Sequence, residues 1–294
     1  MKPALILVPT WKRADCVDKW IEVNLKSTLA LELCDVMFII NGDNDTQEVL
    51  DRHISSDLVL LRSLGYIKLK SNLGIAAALN LGIYKFKDKY DYIIRMDDDF
   101  FIKDKLWLQK LVNLQNSIKV SILLMKPNYL DYSLNMSEDS TDSDTVNYAY
   151  ANDDEWGQLT MISRDCLNAV GYYREDYGYV WCEDRDMIFR TRVLGFKTVI
   201  TVPGTITAFH RQWVVDNKEV VSTCDELVKS GVVDKDFQEI NRNKLEENKA
   251  CYLENKETSI IKYDNLEDVF TDNVETVRAM YAKNILNRKA LNVR

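Results

Sequence analysis

Glycine and proline are scarce: 10 Gly and 4 Pro in 294 residues leave little room for low-complexity linkers or collagen-like segments. Six cysteines (Cys16, Cys34, Cys166, Cys182, Cys224 and Cys251) lie far apart, with no C-x-x-C pair. Neither a zinc site nor a disulfide framework is indicated, and reduced packing residues are expected. There are only two histidines, His53 and His210. Basic charge is in deficit, with Lys+Arg 38 against Asp+Glu 46 and a formal net charge of −8. That disfavours a protein coated in basic charge for non-specific nucleic-acid binding, a local basic patch aside. No apolar run approaches the roughly 18 residues of a membrane span. Met1–Thr10 carries one Lys and the short run Ala4–Val8, too small for a signal-peptide core, so a soluble cytoplasmic protein is expected. What is present is apolar substance: 46% hydrophobic residues suffice for the core of one large domain, or of a domain with an appendage.

The first part alternates strand and helix signals. Ala4–Val8 is a continuous apolar run ending at Pro9-Thr10, the pattern of a buried parallel strand. Residues 14–31 carry Val17, Trp20, Ile21, Leu25 and Leu29 at helical spacing. Val36–Ile40 is a second strand, closed by Asn41-Gly42-Asp43-Asn44. A short helix follows from about Thr46. Tyr66–Leu69 reads as a strand, Ile75–Phe86 as a helix, and Tyr90–Met96 as a strand. Such alternation predicts a mostly parallel sheet with helices on both faces, whose ligands collect at the carboxyl ends of the strands. Pro9–Arg13, Asn41–Asp45 and Asp97–Asp99 occupy those ends.

Beyond residue 100 the pattern is less regular. Residues 106–115 read as a helix, Val120–Met125 and Trp156–Ser163 as strands. Ser163 caps a helix through Val170, 183–194 is a helix ended by Gly195, and Thr198–Val202 is a strand. Residues 131–155 carry eight acidic residues and no Lys or Arg, and the middle of that stretch reads as a mobile loop. After about Trp213 the pattern is polar and helical, predicting an α-rich C-terminal extension. Its end, from Arg278 to Arg294, is basic, with Lys283, Arg288 and Lys289 between.

Three groups of residues carry chemistry. Asp97-Asp98-Asp99 directly follows a buried strand, and three adjacent carboxylates repel one another unless a cation or water relieves them. A hard divalent ion such as Mg²⁺ or Mn²⁺ suits these oxygen ligands. Glu183-Asp184-Arg185-Asp186 opens a helix after Tyr172, Tyr173, Tyr177, Tyr179 and Trp181. Acids in a first helical turn suit the helix dipole without any catalytic role. Aromatic walls around a carboxylate also suit a sugar, and a partly desolvated carboxylate there can act as a general base. His210 ends the strand-like run Thr205–Phe209, where a lone histidine is more often structural than ligating. His53, in a polar helical segment, is expected to be exposed.

In order along the chain, Val8–Arg13 (VPTWKR), Ser71–Ile83 (SNLGIAAALNLGI), Arg95–Phe100 (RMDDDF), Trp181–Arg190 (WCEDRDMIFR) and Phe209-His210 resemble the motifs of family 2-type glycosyltransferases with the GT-A fold. The resemblance spans roughly residues 4–213. It implies a Rossmann-like α/β catalytic domain over 1–213, with a nucleotide-binding half (1–100) and an acceptor half (101–213), followed by the extension 214–294. It implies that Asp99 and His210 hold Mn²⁺ or Mg²⁺, and that Asp97 binds the metal or the ribose. Pro9, Thr10, Arg13 and Asn41 would surround the uracil and ribose of a UDP-sugar, and Asn72 and Gly74 would shape the same pocket. Asp184 would be the base with Glu183 beside it, and Trp156, Gly157 and Trp181 would lie along the sugars. The second strand of the family often ends in Asp-Asp-Gly, whereas Asn41-Gly42-Asp43 stands here. The amide oxygen of Asn41 can still accept from uracil N3–H.

The activity implied is a metal-dependent, inverting transfer from a UDP-sugar to an acceptor hydroxyl. The acceptor is a glycan or, as in some bacterial viruses, a hydroxymethylated pyrimidine in DNA; a viral protein would act in the host cytoplasm. The composition resembles such viral proteins, and the basic end of the chain would then hold phosphates. Two other readings use the same acids. Asp97, Asp99, Glu183, Asp184 and Asp186 are compatible with a two-metal nuclease, and the aromatics with a non-catalytic sugar-binding protein. A sugar-phosphate nucleotidylyltransferase would need a Gly-rich first loop, which is missing between Val8 and Val17.

Overall fold

The computed structural model describes residues 2–126, 146–151, 157–175, 177, 182–202 and 204–210, together with the strand backbones 213–215, 219–221 and 292–293. The first strand, β1 (Ala4–Thr10), is buried along its whole length. Its alternate side chains feed two layers. Ala4, Ile6 and Val8 pack in one cluster with Trp20 and Phe38, while Leu5 and Leu7 pack in another with Ala76, Leu79 and Ile83. A strand covered on both faces has no polar side to show, which is why it reads as an unbroken apolar run.

Parallel pairing joins β1 to β2 (Cys34–Ile40) and β4 (Tyr92–Met96), and β2 to β3 (Leu64–Lys68). Beyond β4 the sheet turns mixed. β8 (Leu159–Ser163) runs antiparallel between β4 and β6 (Ile122–Met125), and β9 (Thr198–Thr201) is parallel to β6. With β7 (Tyr148–Tyr150) and β13 (Asn292–Val293) at the two edges, the order is β13-β3-β2-β1-β4-β8-β6-β9-β7. The predicted α/β class therefore stands, with the antiparallel strands inserted in the second half. Helices α1 (Ala14–Trp20), α2 (Asp45–Ser56), α3 (Leu58–Ser63), α4 (Ile75–Phe86), α5 (Trp107–Ile118), α6 (Arg164–Val170) and α7 (Glu183–Val193) connect the strands. Ser163 caps α6 by accepting the Cys166 N–H at 3.4 Å, as expected. Gly195, just past α7, has φ +81°, the conformation that ends a helix.

Several local expectations are corrected. The run 14–31 is not one α-helix: α1 passes into a wider π-helical segment at Ile21–Lys26. There the buried Asn24 donates from Nδ2 to the Phe100 carbonyl at 2.9 Å, and its Oδ1 accepts the Ile102 N–H at 2.7 Å. An inward amide that bonds like a strand backbone breaks the apolar repeat. Helix α3 has no periodic signal in the sequence; Asp57 starts it by accepting the Val59 and Leu60 N–H groups. His53 is buried, not exposed, with Nε2 2.7 Å from Asp18 Oδ1. The acidic stretch holds the strand β7, and its middle lies outside the described residues. Of 214–294, the described parts are strands: β11 (Trp213–Val215) pairs with β12 (Glu219–Val221), and β13 adds antiparallel to β3. The rest of the expected helical extension, and most of the basic end of the chain, lies outside the described residues. Among the described residues no helix is long and apolar enough to cross a membrane. Cys16, Cys34, Cys166 and Cys182 are buried thiols, none of them in a disulfide.

A second, two-stranded ladder matters more than its size suggests. β5 (Phe100–Ile102) pairs antiparallel with β10 (Ala208–His210), and His210 stands opposite Phe100. Because Phe100 directly follows the acidic triplet, this pairing brings a residue from 110 positions away back to the end of β4. Asn24, bonded to both Phe100 and Ile102, fixes β5 from the helix side.

Candidate functional site

The carboxyl ends of β1, β2 and β4 converge with β10 and the start of α7. At the end of β4, the Asp97 N–H donates to the Gln158 carbonyl (3.0 Å) and the Phe100 N–H donates to the Asp97 carbonyl (3.2 Å), which folds the triplet into a tight turn. Asp98 and Asp99 are buried, and a quarter of the Asp97 side chain remains exposed (25%). His210 Nε2 lies 3.2 Å from Asp99 Oδ1. One ligand atom from each of Asp97, Asp99 and His210 lies within 4.8 Å of the others, the only such trio among the described residues.

Just before α1 stands Arg13, whose Nη1 is 3.0 Å from Asp99 Oδ2 and whose Nε is 3.7 Å from Asp98 Oδ1. Thr10 is buried at the strand end. Asp43 organises the neighbouring loop, accepting the Lys12 N–H (2.9 Å), the Asp45 N–H (3.1 Å) and the Thr46 hydroxyl. Asn41 is buried; its N–H donates to the Thr10 carbonyl (2.9 Å) and its Oδ1 accepts the Leu73 N–H (3.2 Å). The amide oxygen expected to face a base thus has one lone pair already occupied. Asn72 Oδ1 accepts the Gly74 N–H at 2.9 Å, turning the chain into α4. Gly42 is the residue that permits this close approach: its φ is +78°, and a β-carbon there would lie 2.8 Å from Ser71 Cα.

The second half is built around Arg95. This penultimate residue of β4 is buried, and its Nη2 lies 3.0 Å from Asp97 Oδ1 and 3.4 Å from Glu183 Oε1. Its Nη1 is 3.5 Å from Asp184 Oδ2 and donates to the Gly157 carbonyl at 3.0 Å. Glu183 and Asp184 open α7 behind Cys182, which sits at φ +74°. Pro9 is buried in β1, one residue before its end. Trp156, Trp181 and Tyr179 lie outside the described residues. Of the aromatics expected around this cluster, Tyr172, Tyr173 and Tyr177 are buried, with Tyr173 close to Arg95, Glu183 and Asp184. Asp186 also leaves the cluster, since Arg190 Nε binds its Oδ2 at 2.7 Å and the Tyr177 hydroxyl donates to its Oδ1 at 3.2 Å. That removes one acid from the nuclease reading.

Arg95 carries no role in the sequence reading. A charge inside the apolar run YIIRM, two residues before an acidic triplet, is the signal that marks it.

Five carboxylates (Asp97, Asp98, Asp99, Glu183 and Asp184) here meet two guanidiniums and one imidazole. The excess is negative, and the titration of the acids reflects it. Burial, then the charge of Asp99, pushes Asp97 up to about 6 and Asp98 up to about 7 against the pull of Arg95 and Arg13. Burial and the adjacent Asp184 push Glu183 up to about 7. Asp99 goes the other way: burial is outweighed by Arg13 and His210, which hold it well below the usual carboxylate range. For His210, burial is outweighed by the hydrogen bond and charge of Asp99, so its imidazole is raised. Two carboxylates and one imidazole in a negatively charged recess are a fitting donor set for a hard divalent cation.

A mixed sheet of this order, with an acidic triplet at the end of its fourth strand, defines a GT-A fold. The model of glycosyl transferase family 2 matches residues 5–171, and the chain belongs to that family. Among solved structures, it is similar to the mannosyltransferase PcManGT from Pyrobaculum calidifontis in complex with GDP-Man and Mn²⁺. That match has TM-score 0.57 and 16% identity, over 73% of this chain and 58% of that one. It is also similar to residues 1–349 of TarS from S. aureus in complex with UDP-GlcNAc, with TM-score 0.55 and 12% identity, over 74% of this chain and 60% of that one. The chain thus spans about three fifths of the length of these solved chains. No curated protein sequence matches it.

Proposed function

We propose that the protein transfers a sugar from a UDP-sugar to an acceptor hydroxyl with inversion at the anomeric carbon. One observation carries this reading: Asp97, Asp99 and His210 gather their ligand atoms at the end of β4, and the guanidinium of Arg95 links Asp97 to Glu183 and Asp184. Asp97, Asp99 and His210 would hold Mn²⁺ or Mg²⁺. Bound there, the ion would offset the negative charge that develops on the departing diphosphate.

The other roles belong to the chain itself. Arg13 holds Asp98 and Asp99 at the strand end, so the triplet keeps its shape beside Thr10 and Asn41. The crevice edge of Asn41, Asn72 and Gly74 receives the nucleoside. Asp184, on the first turn of α7, takes the proton of the acceptor hydroxyl as its oxygen attacks from the face opposite the leaving group. Glu183 orients a sugar hydroxyl beside it, and Gly157, where a β-carbon would meet the Met125 and Leu159 carbonyls at 3.0 Å, offers its own carbonyl to Arg95.

Melting temperatures measured with UDP-, GDP- and TDP-sugars, with and without Mn²⁺, test the reading. A UDP-sugar with Mn²⁺ should raise the melting temperature most; at a hundredfold excess over the dissociation constant the gain is about 2.7 kcal/mol. A protein indifferent to every nucleotide in the presence of metal would refute it. Nucleotide release in the presence of a neutral oligosaccharide or of hydroxymethylated DNA then separates the two acceptor classes.

A further inference from the structure

We propose that Arg95 is a positioning residue that ties the metal-side acid Asp97 to the base-side acids Glu183 and Asp184 across the crevice. This rests on the proposed transferase reading of the site. A guanidinium is a planar fork with donors at fixed angles. Here Nη2 spans Asp97 (3.0 Å) and Glu183 (3.4 Å), and Nη1 spans Asp184 (3.5 Å) and the Gly157 carbonyl (3.0 Å). One rigid group therefore touches three segments of chain: the β4 turn, both acids of α7, and Gly157 ahead of β8.

Its burial gives the fork authority. Arg95 is only 6% exposed, and a buried cation without partners would be costly, so its acids are drawn onto it rather than onto water. Glu183 and Asp184 are neighbours on one helical turn and repel each other; a cation facing both holds them together and aims them at the same point. The same cation also opposes any second positive charge bound at Asp97. Arg95 thus contributes to the two halves with opposite sign: it supports the base side and competes on the metal side.

That opposition supplies the test. Arg95→Gln and Arg95→Lys are compared with the wild type in two measurements. The first is Mn²⁺ binding alone, followed by the electron paramagnetic resonance of free Mn²⁺. The second is nucleotide release from the sugar nucleotide that stabilises the wild type most. Arg95→Gln should bind Mn²⁺ about threefold or more tightly, because a neighbouring positive charge is gone. Its kcat should fall about a hundredfold with KM for the donor little changed, since misplacing a catalytic group by about an ångström has that effect. Arg95→Lys, which keeps the charge and loses the fork, should recover part of the lost kcat and return Mn²⁺ affinity toward the wild type.

Mn²⁺ affinity falling in step with kcat in Arg95→Gln would mean that Arg95 merely holds the fold, and would overturn the proposal. So would unchanged kcat in both variants. A wild type that binds neither Mn²⁺ nor any nucleotide fails at an earlier step, and that result removes the transferase reading itself.

Discussion

Replacing Asp184 by Asn changes one atom in the base and almost nothing in its shape. Its Oδ1 accepts the Arg185 N–H at 2.8 Å, a bond that an amide oxygen reproduces, and its side chain is 13% exposed. What is lost is the negative charge facing Arg95 Nη1 at 3.5 Å and the ability to take a proton. In stability the two electrostatic changes oppose each other. The attraction to Arg95 disappears, but so does the repulsion that helps push Glu183 up to about 7. Arg95 keeps Asp97 and Glu183, so no buried charge is orphaned, and net destabilisation should be about 1–3 kcal/mol, that of one hydrogen bond to a charged group. In catalysis nothing offsets the loss. A general base contributes about 10²–10⁴ in rate, so kcat should fall about a thousandfold, or ~4 kcal/mol in the barrier. Asp184 is not one of the trio of Asp97, Asp99 and His210, so the Mn²⁺-dependent nucleotide shift in melting temperature should survive. Single-turnover nucleotide release and thermal shift on the same preparation check both halves. A variant that keeps more than about a tenth of wild-type kcat would show that another group accepts the proton.

Two more outcomes follow from the geometry. Asp98 and Glu183 bind their protons more tightly in the folded chain than in the unfolded one, where carboxyls titrate near 4. Their protonation therefore favours the fold at low pH, and that advantage is lost as pH rises from about 4 through about 7. The melting temperature of metal-free protein should rise on going from pH 7.5 to pH 6, and Mn²⁺ should flatten the slope; a metal-free melting temperature that falls on acidification contradicts the excess of buried negative charge. Gly42→Ala places a β-carbon 2.8 Å from Ser71 Cα at φ +78°, so it should lose about 1–3 kcal/mol in denaturant titration and weaken nucleotide binding; unaltered stability would show that the 71–74 loop moves freely.

Much of the first half is readable from local pattern. A strand buried on both faces must be apolar throughout, and an amphipathic helix must repeat near every third or fourth residue, so Ala4–Val8, Val36–Ile40 and Ile75–Phe86 announce themselves. Each of these signals lies within a dozen residues. The π-helical segment and the helix Leu58–Ser63 escape because their reasons are tertiary: Asn24 turns inward to bond β5, and only Leu60 and Ser63 of the second helix are buried.

The site divides along the same line. That three acids end a buried strand, and that Glu183 and Asp184 open a helix, is decided by residue order alone. Which cation neutralises which acid is not. Asp186 faces Arg190 and leaves the cluster, His53 is buried against Asp18, and His210 reaches Asp99 because β10 pairs with β5. Arg95 acquires its four partners from the β4 turn, α7 and the stretch just ahead of β8. Periodicity encodes how deeply a residue is buried; Coulombic pairing depends on distances of 3–4 Å through space, and those exist only once distant segments have packed.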